Sequence, residues 1–436
     1  MLPSRKSRLA AAVLSLLLLT PGQASAAPDD LPFTGGGGVT LHGTLIRPKV
    51  PPRAAIVLQG GSNWRVRADL RAHADMFANL GVTTLIYDRR TVGYSTTQRD
   101  YGLLADDLIG AVDALRAQPG VDPGDVGVWG VSEGAWVAPL AATKSEHIAY
   151  VITAGASAIP GASQTAWYWG NVLRHQGVSG SLLRALPYTG TRFAVGAGLF
   201  PQAGYDGVAV LKQVRQPILA LWGDLDINHP PEESSRIFAD ALAANPNHAI
   251  RFVPGGGPDL NETTDRGFDK LPTLAPGYPA AVDAWLGHRT GVTVENPPKQ
   301  ERLTEPLPPL AWYESPWAQG IVLLALLGAF LGCVFLRRSA RPARLLAVSG
   351  TATVVGFLAF FAFMQMGGMK NIGPVVLGRP ILWLLLQLLA AATMVAAIGT
   401  AVRYRRSPAQ RKRTFTLLGG SLVFVPWALY WGLLVP

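Results

Sequence analysis

The chain has 436 residues, enough for about two or three domains of ~150 residues each. Only 15% of the residues are charged and 49% are apolar, which excludes an intrinsically disordered protein and indicates membrane-spanning segments. The net charge of +10 comes from the first 26 residues and from residues 317–436, which contain no acidic residue. The middle of the chain is therefore mildly acidic, and we expect no nucleic-acid partner. With Cys333 as its only cysteine, the chain has no intramolecular disulfide framework and no cysteine-rich metal site.

The first 26 residues have the three regions of a secretory signal peptide. Arg5, Lys6 and Arg8 form a basic start, residues 9–19 form an apolar core, and small residues at 24–26 supply a cleavage pattern. An uncleaved anchor is the alternative. Under either interpretation, we expect the following domain to be exported from the cytoplasm.

Residues 27–292 alternate between short apolar runs and helical patterns, which is typical of a mostly parallel α/β sheet covered on both faces. An antiparallel strand is predicted at 39–46, and buried strands are predicted at 54–58, 82–88, 126–131, 149–154, 218–222 and 250–253. Helices are predicted at 70–80, 103–117, 133–143, 232–244 and 279–286. Residues 158–216 interrupt this rhythm and predict a helical cap over the carboxyl ends of the strands, where such sheets bind ligands.

The rest of the chain is predicted to be a membrane domain reached through a linker. Residues 293–316 contain six prolines and predict a semi-rigid linker. Four apolar runs follow, at 317–336, 345–366, 381–402 and 414–435, each near the ~20 residues that a spanning helix needs. Basic residues crowd the first and third connecting loops, which predicts that these loops are cytoplasmic. We therefore expect a multi-pass protein of the cell membrane, in contact with the lipid bilayer, with its 27–292 domain on the extracytoplasmic side.

Residues 130–134 fit the pattern GxSxG of a nucleophile turn. The pattern ends one predicted strand and begins an Ala-rich predicted helix, so Ser132 is the candidate nucleophile. A glycine-rich turn follows the strand predicted at 54–58. The N–H groups of Gly61 and Glu133 are the candidate donors to an oxyanion. Ordinary turns at both places are the alternatives.

Four segments together give the chain a specific resemblance. Residues 87–95, 105–115, 129–139 and 217–226 resemble, in the same order, segments of the α/β-hydrolase superfamily. The resemblance is strongest to bacterial serine esterases and to relatives of prolyl oligopeptidases and dienelactone hydrolases, and it covers about residues 38–290. It implies an α/β-hydrolase fold with a Ser–His–acid triad, but it does not define a substrate.

The resemblance identifies an acid and leaves the histidine in question. It implies that Asp226, in a Gly-x-x-Asp pattern, is the triad acid, with Asp224 as the alternative. Relatives carry the histidine after the last strand, where this chain has Pro258. Proline cannot accept a proton. His229, three residues after Asp226, is the candidate for a displaced base, and an exposed loop imidazole is the alternative.

These features predict a membrane-anchored serine hydrolase that acts outside the cytoplasm on carboxylic esters or similar small acyl substrates. No metal or organic cofactor is implied. Because the base is uncertain, two alternatives remain: a catalytically degenerate hydrolase that serves as a ligand-binding or sensor module, and an envelope acyltransferase.

Overall fold

The structure is a computed structural model that describes residues 30–95, 97–334, 341–404 and 411–436. The predicted signal peptide at 1–26 lies outside the described residues. Four basic residues of the two arginine-rich loops do as well, namely Arg337, Arg338, Arg405 and Arg406.

A mixed β-sheet forms the centre of the first domain. Among the described residues its nine strands are β1 (Asp30–Thr34), β2 (Thr40–Ile46), β3 (Ala54–Gln59), β4 (Val82–Tyr87), β5 (Val126–Val131), β6 (Val151–Ala154), β7 (Ile218–Gly223), β8 (His248–Val253) and β9 (Thr293–Val294). Their order in the sheet is β1-β2-β4-β3-β5-β6-β7-β8-β9. β2 is antiparallel to both of its neighbours, and the strands from β4 onward are parallel. The predicted mostly parallel α/β sheet is confirmed, and it is consistent with the α/β-hydrolase fold.

Helices cover both faces of this sheet because its central strands are apolar on both sides. Every residue of β3, β4, β5 and β7 is buried. The helices of this part are α1 (Arg71–Asn79), α2 (Tyr101–Arg116), α3 (Gly134–Lys144), α8 (Pro231–Ala241) and α9 (Gly277–Gly287). Side chains of α2, α3 and α8 contribute to the core on one face, and those of α1 and α9 contribute to the core on the other. Such burial on both faces is typical of parallel sheets.

The strand register brings four loops together at one edge of the sheet. Gln59 at the end of β3 pairs with Gly130 in β5, and Val131 pairs with Ala154 at the end of β6. Ala154 in turn pairs with Leu221 in β7. The loops that follow these parallel strands therefore lie side by side, as expected for a ligand site in an open α/β sheet.

Two strands were not predicted, and both are at the edges of the sheet. β1 pairs with β2, and β9 pairs with β8 through Thr293 and Val294. The sheet thus extends two residues beyond the predicted boundary at 292. An edge strand of two residues has too few side chains to produce an alternating pattern, so sequence periodicity could not identify it.

The segment between β6 and β7 contains the helices of the cap. They are α4 (Gly161–His175), α5 (Leu182–Arg184), a π-helical turn (Ala185–Gly190), α6 (Thr191–Gly196) and α7 (Gly207–Leu211). α4 packs with its apolar face toward the C-terminal helices, and it shares a hydrophobic core with them.

Four helices pack together in the C-terminal part that the structure describes. They are α10 (Pro316–Val334), α11 (Arg341–Met366), α12 (Ile381–Tyr404) and α13 (Arg411–Tyr430). Two segments, Arg341–Met366 and Ile381–Arg403, are long and apolar enough to cross a membrane, whereas the apolar part of α10 is shorter. α13 begins with three basic residues, which lowers its hydropathy. Of the four predicted spans, two therefore meet the criteria of length and composition.

The cap contacts one end of this helix bundle. Gln176 Nε2 donates to Met369 O, 2.9 Å away, in the segment between α11 and α12. Ser181 Oγ donates to Gly432 O, 2.8 Å away, just after α13. Arg192 in α6 pairs at 2.6 Å with Glu314, which immediately precedes α10. Because α10 begins and α11 ends near the cap, Arg341 at the start of α11 lies at the opposite end of the bundle.

Candidate active site

Ser132 lies on a sharp turn between β5 and α3. Its backbone has φ +53°, in the left-handed region that side chains rarely adopt. A Cβ on Gly130 would lie 2.0 Å from the carbonyl oxygen of Gly134, and a Cβ on Gly134 would lie 2.3 Å from that of Gln59. The two glycines therefore permit a turn that a larger residue would prevent. This backbone geometry is the strained strand-to-helix turn that presents a nucleophile at a sheet edge.

Ser132, His229 and Asp226 form a continuous hydrogen-bonded chain. His229 Nε2 lies 3.1 Å from Ser132 Oγ, and His229 Nδ1 lies 3.0 Å from Asp226 Oδ2. The second carboxylate oxygen, Oδ1, accepts hydrogen bonds from the backbone N–H groups of Asn228 at 2.7 Å and His229 at 2.9 Å. Asp226 thus shapes the loop after β7 and orients the imidazole that this loop carries. The arrangement has the order of contacts of a nucleophile, base and acid.

The imidazole of His229 is buried, contrary to the alternative of an exposed loop position. His229 is 3% exposed and Asp226 is 4% exposed. Burial by itself lowers the pKa of His229, but the charge of Asp226 and its hydrogen bond outweigh this effect. The net result is a pKa of His229 above its ordinary value of 6.5. Asp226 therefore favours the imidazolium that a base forms when it accepts a proton.

Gly155 provides the space for the His–Asp pair. It follows β6 with φ +55°, and a Cβ at this position would lie 2.9 Å from His229 Nδ1 and 3.2 Å from Asp226 Oδ2. Cβ contacts shorter than 3.0 Å essentially do not occur. The imidazole of His229 can therefore occupy this place only because residue 155 is a glycine.

The structure distinguishes between the two candidate acids. Asp226 contacts the imidazole, whereas the Oδ1 atom of Asp224 is buried without a hydrogen-bond partner among the described residues. Pro258 lies in the short helical turn Pro258–Leu260 that follows β8, and it is buried.

The two candidate oxyanion donors both lie next to Ser132. A Cβ on Gly61 would lie 3.2 Å from Ser132 Cβ and 3.7 Å from its Oγ, so the Gly61 backbone passes directly beside the serine. The amide of Glu133 belongs to the N-cap residue of α3. Within the described part of the chain, neither amide donates a hydrogen bond to another protein group. Both N–H groups are thus available to a ligand.

Arg89 connects the two loops that carry these amides. Its Nη2 atom donates to the carbonyl oxygens of Gly60 at 2.6 Å and Gly61 at 2.7 Å. Its Nη1 atom donates to Glu133 Oε1 at 2.6 Å, and Tyr94 OH donates to the same oxygen at 2.7 Å. The Arg89–Glu133 pair is buried. Because a guanidinium is planar and rigid, this set of bonds holds the two loops at a defined separation.

A cavity of about 130 Å³ opens above Ser132. Most of its lining is polar or aromatic, and it includes Arg99, Trp136, Gln164 and His229. No group of three or more His, Cys, Asp or Glu side chains in the described ranges is arranged to hold a metal ion. The contacts from Ser132 through His229 to Asp226 are the parts that nucleophilic acyl chemistry requires.

Three residues of this site were not predicted from the sequence. Gly155 and Arg99 belong to no motif that could have identified them. Arg89 lies within the 87–95 segment that carries the resemblance, but the pattern of that segment does not reveal which groups its guanidinium binds.

No family model matches the chain. Two fungal proteins are similar to part of it. Polyketide transferase ATR5 of Stachybotrys chlorohalonatus is 34% identical over 128 residues, which are 28% of this chain and 43% of that protein. Thiohydrolase aneE of Aspergillus aculeatus is 31% identical over 129 residues, which are 29% of this chain and 40% of that protein. The chain thus spans less than half the length of these curated relatives.

Solved structures are similar to the chain over a larger part of its length. An esterase of Pyrococcus furiosus is 18% identical and has a TM-score of 0.44, with 60% of this chain and 91% of that one covered. Dienelactone hydrolase of Anabaena variabilis is 18% identical and has a TM-score of 0.38, with 60% and 99% covered. The fold assignment therefore depends on the topology of the sheet in this chain.

Proposed function

We propose that the protein is a serine hydrolase that cleaves carboxylic esters or similar acyl substrates, including thioesters. The observation that carries this proposal is the chain of contacts from Ser132 Oγ through His229 to Asp226, at 3.1 Å and 3.0 Å. A thiohydrolase and a polyketide transferase among the relatives support acyl chemistry of this kind.

In the proposed reaction, Ser132 Oγ attacks the acyl carbon and transfers its proton to His229 Nε2. Asp226 holds the opposite ring nitrogen and stabilises the imidazolium. The N–H groups of Gly61 and Glu133 bind the oxyanion of the tetrahedral intermediate. His229 then protonates the leaving group, and an acyl-serine remains. Water, activated by His229 in the same way, releases the acid and restores the serine.

In this proposal His229 has the role of the histidine that relatives carry after the last strand. Its loop follows β7 rather than β8, but the imidazole reaches Ser132 from the same edge of the sheet. This displacement is compatible with a proline at position 258, and a degenerate, non-catalytic site is disfavoured because the proton-transfer contacts are complete.

Acyl transfer is the second candidate function, since one of the relatives is a transferase. The two reactions share the acyl-serine and differ only in whether water or another nucleophile attacks it. The geometry of Ser132 serves both reactions equally.

The membrane arrangement is also part of the proposal. We infer that all four C-terminal helices span the membrane and that the hydrolase domain is extracytoplasmic. The cap contacts the bundle at the end opposite Arg341, and the two arginine-rich loops are expected in the cytoplasm from their sequence. Exposed Trp312 and Trp317 lie at the cap end of α10, where aromatic residues typically meet the lipid headgroups. Reporter fusions within 367–380 should report outside and those within 404–412 inside; the reverse pattern contradicts the inferred orientation.

The test of the catalytic proposal uses the full chain in detergent. Wild-type protein should react with a fluorophosphonate probe and hydrolyse short-chain aryl esters, and Ser132→Ala should abolish both. Ser95→Ala, which changes an exposed loop serine, is the matched control. Hydrolysis that persists in Ser132→Ala would refute the proposal. Products that form only when an alcohol or amine acceptor is added would favour the transferase.

A further inference from the structure

A cationic side chain faces the same cavity as the nucleophile. Arg99 lies just before α2, is partly exposed and lines the cavity together with Ser132 and His229. Its backbone is fixed to the cap, because Gln202 Nε2 donates to Arg99 O at 3.0 Å. Arg99 therefore lines the cavity that contains Ser132, and its backbone is bound to the cap.

The charge of Arg99 is only partly compensated by the protein. Its one carboxylate partner in the part of the chain that the structure describes is Glu133, at 3.1 Å from Nη1. The same carboxylate is already bound by Arg89 at 2.6 Å, so two guanidinium groups share one negative charge. Moreover, the Nε atom of Arg99 is buried without a hydrogen-bond partner among the described residues. A buried N–H without a partner is unfavourable unless a ligand or water completes it.

The remaining negative charge near the pocket does not offset this excess. Asp226 directs one oxygen to His229 and the other to two backbone N–H groups. Both carboxylate oxygens of Asp226 therefore already have hydrogen-bond partners within its own loop. Arg89 and Arg99 therefore place two positive charges against the single negative charge of Glu133 beside the pocket.

The size and lining of the pocket limit what fits there. Its volume of about 130 Å³ corresponds to about four water molecules at ~30 Å³ each, so it accepts a short chain. Uncharged hydrogen-bonding side chains form part of the lining, namely Ser62, Ser157, Gln164, Thr165 and Gln202, and Tyr101, Trp136 and Phe200 form its aromatic part. Such a pocket suits a small polar group better than a long alkyl chain.

We propose that the pocket selects acyl groups that carry a carboxylate a few bonds from the reacting carbonyl, with Arg99 as the specificity-determining residue. The substrate class is the half-ester or half-thioester of a short dicarboxylic acid. Arginine is suited to this role because its planar donors match the geometry of a carboxylate. The inference rests on the proposed acyl chemistry at Ser132 and adds the identity of the acyl group.

The kinetic test compares two substrates with the same aryl leaving group. One is the aryl half-ester of succinic acid, which is anionic, and the other is its methyl ester, which is neutral and one methyl group larger. Rates are corrected with Ser132→Ala, because the half-ester also hydrolyses without enzyme. Wild type should favour the anionic substrate in kcat/KM by at least about tenfold.

The ratio of the two kcat/KM values is the decisive quantity, because it cancels any general damage at Glu133. Arg99→Gln should reduce this ratio by about tenfold or more, and Arg99→Lys should restore part of it. Arg236→Gln is the matched control: it removes the same charge from α8, where Arg236 is exposed and pairs with Glu232. A ratio near one in wild type, or an unchanged ratio in Arg99→Gln, overturns the proposal.

A binding measurement separates this inference from the proposed reaction. Calorimetry with free succinate requires no turnover; wild type should bind it, and Arg99→Gln should bind it at least about tenfold more weakly. Succinate binding without hydrolysis of either ester would refute the proposed function and retain the anionic pocket. Hydrolysis of the neutral ester without succinate binding would refute the inference and retain the hydrolase.

Discussion

Replacement of His229 by alanine is the most direct test of the displaced base. The change removes the nitrogen that lies 3.1 Å from Ser132 Oγ. Asp226 loses its bond to the imidazole but keeps its two bonds to the backbone N–H groups of the loop. The carboxylate therefore keeps hydrogen-bond partners in the variant, and we expect the defect to be confined to proton transfer.

The expected loss of activity is large because a triad base acts together with its nucleophile. Removal of such a histidine lowers kcat by about 10⁵–10⁶-fold, which corresponds to about 7–8 kcal/mol of transition-state stabilisation. The residual rate comes from the oxyanion donors and from substrate binding.

The assay is the steady-state hydrolysis of a short-chain aryl ester by the full chain in detergent, with thermal unfolding measured on the same samples. His175→Ala is the matched control, because this cap imidazole is exposed and pairs with Asp265 on the surface. Added imidazole should restore part of the activity of His229→Ala, because the space beside Gly155 becomes vacant. A kcat within tenfold of wild type in a folded His229→Ala protein would refute the assignment of the base.

Three further predictions concern the surroundings of the base. Because Asp226 raises the pKa of His229, the acid limb of the kcat/KM profile should have its midpoint above pH 6.5, and activity should be lost as the pH falls and the base becomes protonated. Asp226→Asn should shift this midpoint downward and lower kcat by about 10⁴-fold. Gly155→Ala should lower kcat by at least about 100-fold and also reduce the melting temperature, because the new Cβ displaces the imidazole and the positive φ is strained. Arg89→Lys should lower kcat by about 10–100-fold with little change in KM, because a single ammonium cannot bind the two glycine carbonyls and Glu133 together. Unchanged rates of ester hydrolysis and of fluorophosphonate labelling would contradict this prediction.

The fold was largely predictable because its signals are local. The helices and buried strands of the first domain were placed to within a few residues by apolar periodicity, which depends only on side-chain spacing. Ser132 was predicted as the nucleophile for the same reason: a strand, two glycines and a helix in succession define the turn wherever they occur. Asp226 was predicted as the acid from a short pattern that follows one strand and that the resemblance supplied.

The contact between the candidate base and Ser132 is visible only in the tertiary structure. His229 and Ser132 are 97 residues apart, and their contact depends on the register of β5, β6 and β7. The sequence left His229 open between a catalytic position and an exposed loop, because the length of a loop does not determine the direction of its side chains.

The packing around the candidate base also depends on the order of the strands in the sheet. Gly155 leaves room for the imidazole only because β6 lies between the strands that carry the serine and the histidine. Arg89 joins two loops from different strands, and nothing in its own segment indicates those partners. The amino-acid sequence by itself thus determined the elements and the candidate nucleophile, since both arise from neighbouring residues. Only the tertiary structure brought the candidate proton acceptor and its supports together, since these are residues that meet only when the sheet is assembled.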